Sequence, residues 1–153
     1  MDHRNLKPLP RAPRLAEPPA PARIALVNAR SLANKTFILR DFLSSHALDF
    51  LCLTETWIGA GECSALNELS PPDYAFFNSP RSSGRRGGTA AVFKNDFKCK
   101  QCAVCPSFTS FEVTLFEVGR SDPVLCAVIY RPPKYHKDFL NDLSDFLAGV
   151  MPQ

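Results

Sequence analysis

Several residues of this 153-residue sequence have types and spacings that could do chemistry. Cys99, Cys102 and Cys105 fall three positions apart, a spacing that superficially suggests a metal or iron–sulfur site. A fourth ligand at matching spacing is missing. A strand over this segment would put Cys102 on the face opposite Cys99 and Cys105, so reduced, half-buried thiols are expected instead. His3, His46 and His136 are scattered and read as surface or capping groups. Arg81, Arg85 and Arg86 share a Gly- and Ser-rich stretch, whose basic groups and free amides suit the phosphates of a DNA backbone. A solvated hairpin tip is the plain alternative. Asn28, Glu55 and Tyr130 each stand where a short apolar run ends, the place where a strand delivers a polar side chain to an edge.

The elements that would position these groups can be read from apolar spacing. Residues 23–28 and 49–54 read as buried strands, with a helix between them that carries Ile38, Leu39, Phe42 and Leu43 on one face and is capped by Asn34 or Ser31. A β-α-β unit joins parallel strands through a right-handed crossover, so Asn28 and Glu55 should emerge on one edge. Beyond Trp57, read as core packing, Tyr74–Asn78 and Thr89–Lys94 flank the polar 81–88 connection as a hairpin. Residues 109–118 alternate, with Phe111, Val113 and Leu115 on one face, and Val124–Tyr130 is a further strand. Phe139, Leu140, Leu143, Phe146 and Leu147 fit a final helix closed by Gly149 and Pro152. About seven strands and two helices make an α/β layered domain rich in antiparallel pairs.

Composition bounds the rest. Hydrophobic residues make up 45% and charged residues 22%, values of a globular domain rather than a disordered chain, and the length suits one domain. Six of the 14 prolines precede residue 23, in a stretch with no aromatic or β-branched residue, so 1–22 is expected to be a disordered leader. The leader also carries +2 of the net charge of +3, which leaves the body nearly neutral and any nucleic-acid footprint to local patches. No apolar run approaches the roughly 20 residues of a bilayer span. The expected setting is intracellular, without a membrane partner.

Four motifs then occur in order: Val-Asn-Ala-Arg-Ser-Leu at 27–32, Leu-Thr-Glu-Thr-Trp at 53–57, Arg-Gly-Gly-Thr-Ala at 86–90 and Ile-Tyr-Arg-Pro-Pro at 129–133. Together they resemble the apurinic-type endonuclease domain of non-LTR (LINE-type) retrotransposons, within the endonuclease/exonuclease/phosphatase superfamily. The resemblance covers residues 23–153 and implies a four-layer α/β sandwich of two mixed, mostly antiparallel sheets flanked by helices. It also implies that Glu55 is the metal-binding carboxylate, Asn28 the amide beside it and Tyr130 the phenol on the scissile phosphate, with Arg81, Arg85, Arg86 and Arg131 on nucleic acid. Mg²⁺, or Mn²⁺, is the implied cofactor, since phosphodiester hydrolysis needs a hard cation against developing charge.

The family continues with Gly-Asp-Phe-Asn and later Ser-Asp-His motifs, and neither occurs in this sequence. The expectation is therefore an N-terminal portion of the domain with an incomplete catalytic set. Two function classes stand open: a metal-dependent DNA endonuclease, weak or inactive alone, and a catalytically dead retroelement fragment that at most binds nucleic acid. The resemblance further implies a nuclear setting, and uncovered sheet edges imply self-association.

Overall fold

The computed structural model describes residues 20–84 and 86–151; most of the expected leader (residues 1–19) and Arg85 lie outside the described residues. Seven strands and three helices follow in the order β1 (Ile24–Asn28), α1 (Thr36–Ser45), β2 (Phe50–Thr54), α2 (Ser64–Leu69), β3 (Tyr74–Ser79), β4 (Thr89–Lys94), β5 (Cys99–Cys102), β6 (Glu112–Val118), β7 (Val124–Tyr130) and α3 (Phe139–Val150). One sheet has the order β1-β2-β4-β3 and the other β5-β6-β7. Among the described residues only β1 and β2 run parallel, with Asn28 opposite Thr54, and the other pairings are antiparallel.

Strand alternation sorts the side chains into three apolar layers and so stacks four layers of structure. Leu51 and Leu53 of β2 and Val92 of β4 face outward onto Leu39 and Leu43 of α1 and Leu66 and Leu69 of α2. Their neighbours Phe50, Ala91 and Phe93 face the other way and meet Phe116 and Val128 between the sheets. On the far side, Phe111 and Leu115 pack against Phe146 of α3. Each fully buried Leu or Phe contributes about 1.5–3 kcal/mol of burial. The result is helix, sheet, sheet, helix, the sandwich that the motifs imply.

Several details correct the sequence reading. β1 is an edge strand rather than a buried one, with Ile24 and Leu26 63% and 68% exposed. In α1 only Leu39 and Leu43 of the expected face are buried together with Thr36, whereas Ile38 is 69% exposed. Neither Asn34 nor Ser31 caps that helix: both have left-handed φ values (60° and 83°), and the N-cap position falls to Lys35, without a side-chain cap. Lys35 instead sends Nζ to the carbonyls of Ala29 and Arg30 at 2.6 and 3.1 Å, tying the α1 start to the exit of β1. In α3, Leu140 points to solvent and Gly149 lies inside the helix rather than ending it. Helix α2 was not expected, because six residues give too little periodicity to read. Cys99 and Cys102 do lie on opposite faces of β5, but Cys105 falls beyond the strand and is exposed, so the alternation does not reach it.

Candidate active site

The polar ends of the strands gather at one end of the sandwich. Asn28, Thr54, Thr89, Thr114 and Tyr130 lie at that end on strand faces turned toward the space between the sheets, and the buried hydroxyls of Thr89 and Thr114 hydrogen-bond across it at 2.7 Å. Glu55 follows directly after β2. Continued alternation would turn it with Leu51 and Leu53 toward α1 and α2. Its backbone is instead left-handed, φ 52°, a conformation that non-glycine residues adopt only where surrounding contacts impose it. The carboxylate consequently meets the other sheet, where the Tyr130 phenol donates a hydrogen bond to Glu55 Oε1.

Backbone hydrogen bonds supply the constraint. Ala29 and Ser31 N–H groups donate to the carbonyls of Thr54 and Glu55 at 2.9 and 2.8 Å, extending the β1–β2 pairing past the strand ends. From the other side, Thr56 and Trp57 N–H groups donate to Gly88 and Gly87 at 3.2 and 2.8 Å. Asn28 Oδ1 accepts from Arg30 N–H at 3.2 Å, which settles the turn after β1 where Arg30 and Ser31 are left-handed. Burial pushes the Tyr130 phenol up to about 12, helped by its hydrogen bond to Glu55 and the charges of Glu55 and Glu112, with Arg81 acting in the opposite sense. At neutral pH the phenol therefore keeps its proton and acts as a donor.

The expected basic groups separate. Arg81 is half-buried and paired with the Glu112 carboxylate. Arg86 is exposed, its guanidinium 5.2 Å from the centre of the Trp57 ring, and Arg131 lies 4.3 Å over Phe139. Trp57 is thus a partly exposed platform under a cation, not the core residue read from the sequence. A cleft of about 590 Å³ opens beside the Arg81–Glu112 pair and is lined among others by Ser83, Lys134, Tyr135 and His136.

Two residues to which the sequence reading gives no role belong to this end. Glu112 opens β6 opposite Tyr130, and its Oε2 accepts from Gly88 N–H at 2.8 Å. The signal for it was legible: if Phe111, Val113 and Leu115 face α3, then Glu112 shares the inner face with Phe116, an unusual place for a carboxylate. Thr56 is fully buried with its Oγ1 unpartnered. It falls within the Leu-Thr-Glu-Thr-Trp motif, but nothing there marks it as buried. Among the described residues no three His, Cys, Asp or Glu side chains converge closely enough to enclose a metal ion by themselves, and no helix is long and apolar enough to cross a membrane.

Comparison with known proteins fits this geometry. The chain is similar to the Leishmania major AP endonuclease LMAP (21% identity, 80% of this chain and 43% of that one, TM-score 0.56). It is also similar to the endonuclease domain of TRAS1, a telomere-specific non-LTR retrotransposon (13%, 88% and 57%, TM-score 0.61), and to an AP endonuclease from Archaeoglobus fulgidus (18%, 86% and 52%, TM-score 0.60). The chain thus spans about half the length of these solved structures. Two packed sheets flanked by helices define a domain of the endonuclease/exonuclease/phosphatase fold. In sequence the chain is 31% identical over 130 residues to the RNA-directed DNA polymerase from mobile element jockey of Drosophila melanogaster, covering 84% of this chain and 13% of that protein. Its sequence is thus similar to a stretch of a mobile-element protein, and its fold to that of the endonuclease domain of a non-LTR retrotransposon. No family model matches it.

Proposed function

We propose that residues 23–153 form the N-terminal portion of a metal-dependent phosphodiesterase domain that acts on DNA, with Glu55, Asn28 and Tyr130 as its catalytic groups. The observation that carries this reading is the Tyr130–Glu55 hydrogen bond, because it joins a neutral phenol from one sheet to a carboxylate from the other at a single point of the sandwich. A titratable pair held this way, one partner with a displaced pKa, is the kind of arrangement that functional sites require. The named uses of the relatives, AP endonuclease and retrotransposon endonuclease domain, support DNA as the substrate class.

The donor set suits a hard cation. One carboxylate with an amide on the adjacent strand leaves most of the coordination sphere to water and phosphate oxygens, which is how Mg²⁺ is commonly held. When bound at Glu55, such an ion supplies charge neutralisation at the scissile phosphate. The chain's own groups do the rest: Tyr130 hands its hydrogen bond from Glu55 to a phosphate oxygen, and the Asn28 amide orients a water or a phosphate oxygen without adding charge. Arg86, Arg131 and Lys134 are exposed, and exposed cations attract a polyanion. A nuclear setting follows from a DNA substrate.

A second reading, a catalytically dead module that only binds nucleic acid, is favoured by the finding that no three His, Cys, Asp or Glu side chains converge among the described residues. Losing a positioned acid or base costs about 10²–10⁴ in rate, so the isolated chain is expected to be weak. A supercoiled-plasmid nicking assay in Mg²⁺ separates the two, using this chain, its Glu55→Ala variant and a version extended with the second half of a relative's domain. Nicking by the extended version that Glu55→Ala abolishes supports the endonuclease. Binding without nicking in every version, insensitive to Glu55→Ala, supports the dead module.

A further inference from the structure

One carboxylate joins three segments at the site. Glu112 is half-buried at the start of β6; its Oε2 accepts from Gly88 N–H at 2.8 Å, and its Oε1 is paired with Arg81 Nε. Gly88 and Gly87 in turn accept from the N–H groups of Thr56 and Trp57 at 3.2 and 2.8 Å. Those two residues flank nothing but the exit of β2, where Glu55 and Trp57 both hold left-handed backbones, φ 52° and 57°. Such conformations are held by their surroundings, and here the Gly87–Gly88 carbonyls form one side of them, opposite the Ala29 and Ser31 N–H groups.

The glycines fit this task and no other residue does. Both have positive φ, 99° and 88°. A Cβ on Gly87 would strike the Glu112 carboxylate and the Arg81 guanidinium, and one on Gly88 would lie 2.6 Å from Thr56 Oγ1. The close approach of this loop to both neighbours therefore depends on Arg-Gly-Gly at 86–88, a motif that the catalytic reading leaves without a task.

We propose that Glu112 is a positioning residue: with Arg81 it braces the Gly87–Gly88 turn, and the turn holds the β2 exit in the conformation that points Glu55 at Tyr130. This rests on the reading of Glu55 and Tyr130 as the site. It also gives Arg81 a different task from the other arginines, as an inward partner of Glu112 rather than a contact to DNA. In this scheme Glu112 touches neither phosphate nor metal; its two oxygens serve Arg81 and the Gly88 N–H.

The test is amide hydrogen exchange on the full chain, together with fluorescence of Trp57, the single tryptophan. In Glu112→Ala, exchange at Thr56, Trp57 and Gly88 should rise by about tenfold or more and Trp57 emission should shift, while the β6–β7 ladder amides stay as they were. Glu112→Gln keeps an acceptor for Gly88 N–H and should restore much of the protection, whereas Arg81→Ala should loosen the same amides to a lesser degree. Unchanged exchange at these three amides in Glu112→Ala overturns the proposal. So does a uniform rise along the whole chain in both Glu112 variants, since that marks a merely structural pair. Plasmid nicking by Glu55→Ala keeps the two readings apart. A local exchange response together with Glu55-independent nicking leaves the brace standing and removes the site. An unchanged exchange pattern with Glu55-dependent nicking does the reverse.

Discussion

Tyr130 and Glu55 show how much chemistry a single contact can set. The phenol is the proton donor, and burial and the neighbouring carboxylates both oppose its ionisation, so its pKa rises from 10.0 to about 12. Because the folded value exceeds the unfolded one, the interaction contributes its full stability below about pH 10 and loses it as pH rises toward 12. In metal-free buffer, the denaturation midpoint of the wild-type chain should therefore fall more steeply between those limits than that of Tyr130→Phe. Absorbance at the phenolate band should also lose its latest-titrating component in the variant. Tyr74, whose pKa burial and nearby Asp73 also raise, is common to both proteins and cancels in the comparison. Parallel curves for the two proteins would mean that neither burial nor the carboxylate raises the pKa of the phenol in solution.

Helix α1 carries the clearest consequence at the level of elements. Its apolar residues are too many for one face: Phe37 and Ile38 are exposed, whereas Leu39 and Leu43 are buried against β2, β4 and α2. The phase is fixed from outside the helix. Thr36 Oγ1 donates to Glu68 Oε2 at 2.9 Å and Arg40 Nη1 to the Glu68 carbonyl at 3.1 Å, which ties the helix to α2 at two points. Leu43→Ala leaves a cavity in a fully buried site and should cost about 2–5 kcal/mol. Ile38→Ala should stay within about 0.5 kcal/mol. Urea denaturation of both variants checks the assignment; equal losses would mean that the helix packs with a different face.

Across the whole molecule, the two sheets do not overlap fully. β7 lies over β2 and β4, so β1 projects past the second sheet with Ile24 and Leu26 on the face that continues the inter-sheet layer. Val124, 63% exposed, sits on the same inner face at the free edge of β7. Among the described residues, two edge strands thus combine unpaired backbone with exposed apolar side chains, the pattern that drives edge-to-edge association. The isolated chain should self-associate in a concentration-dependent way. The double variant Ile24→Lys, Leu26→Glu, which leaves the buried face of β1 intact, should remain monomeric in sedimentation velocity. A wild-type chain that stays monomeric across a concentration series would show that this edge is not adhesive.

What the sequence settled by itself is whatever period and punctuation encode. The two central sheet strands, the hairpin of β3 and β4, the β-α-β unit and the inner and outer faces of β6 all follow from apolar spacing, since strand and helix periods leave different marks. Four short motifs were enough to indicate the family. What they could not indicate was orientation, because that is decided by partners distant in sequence. Glu55 faces Tyr130, 75 positions away, because a left-handed backbone is held between the β1 exit and the 87–88 turn, and the turn is held in part by Glu112. Arg81 looked like its neighbour Arg86 in the sequence, yet one turns inward to a carboxylate and the other lies over Trp57. The exposure of β1 likewise depends on how far the second sheet reaches, a matter of packing between layers that no local pattern records.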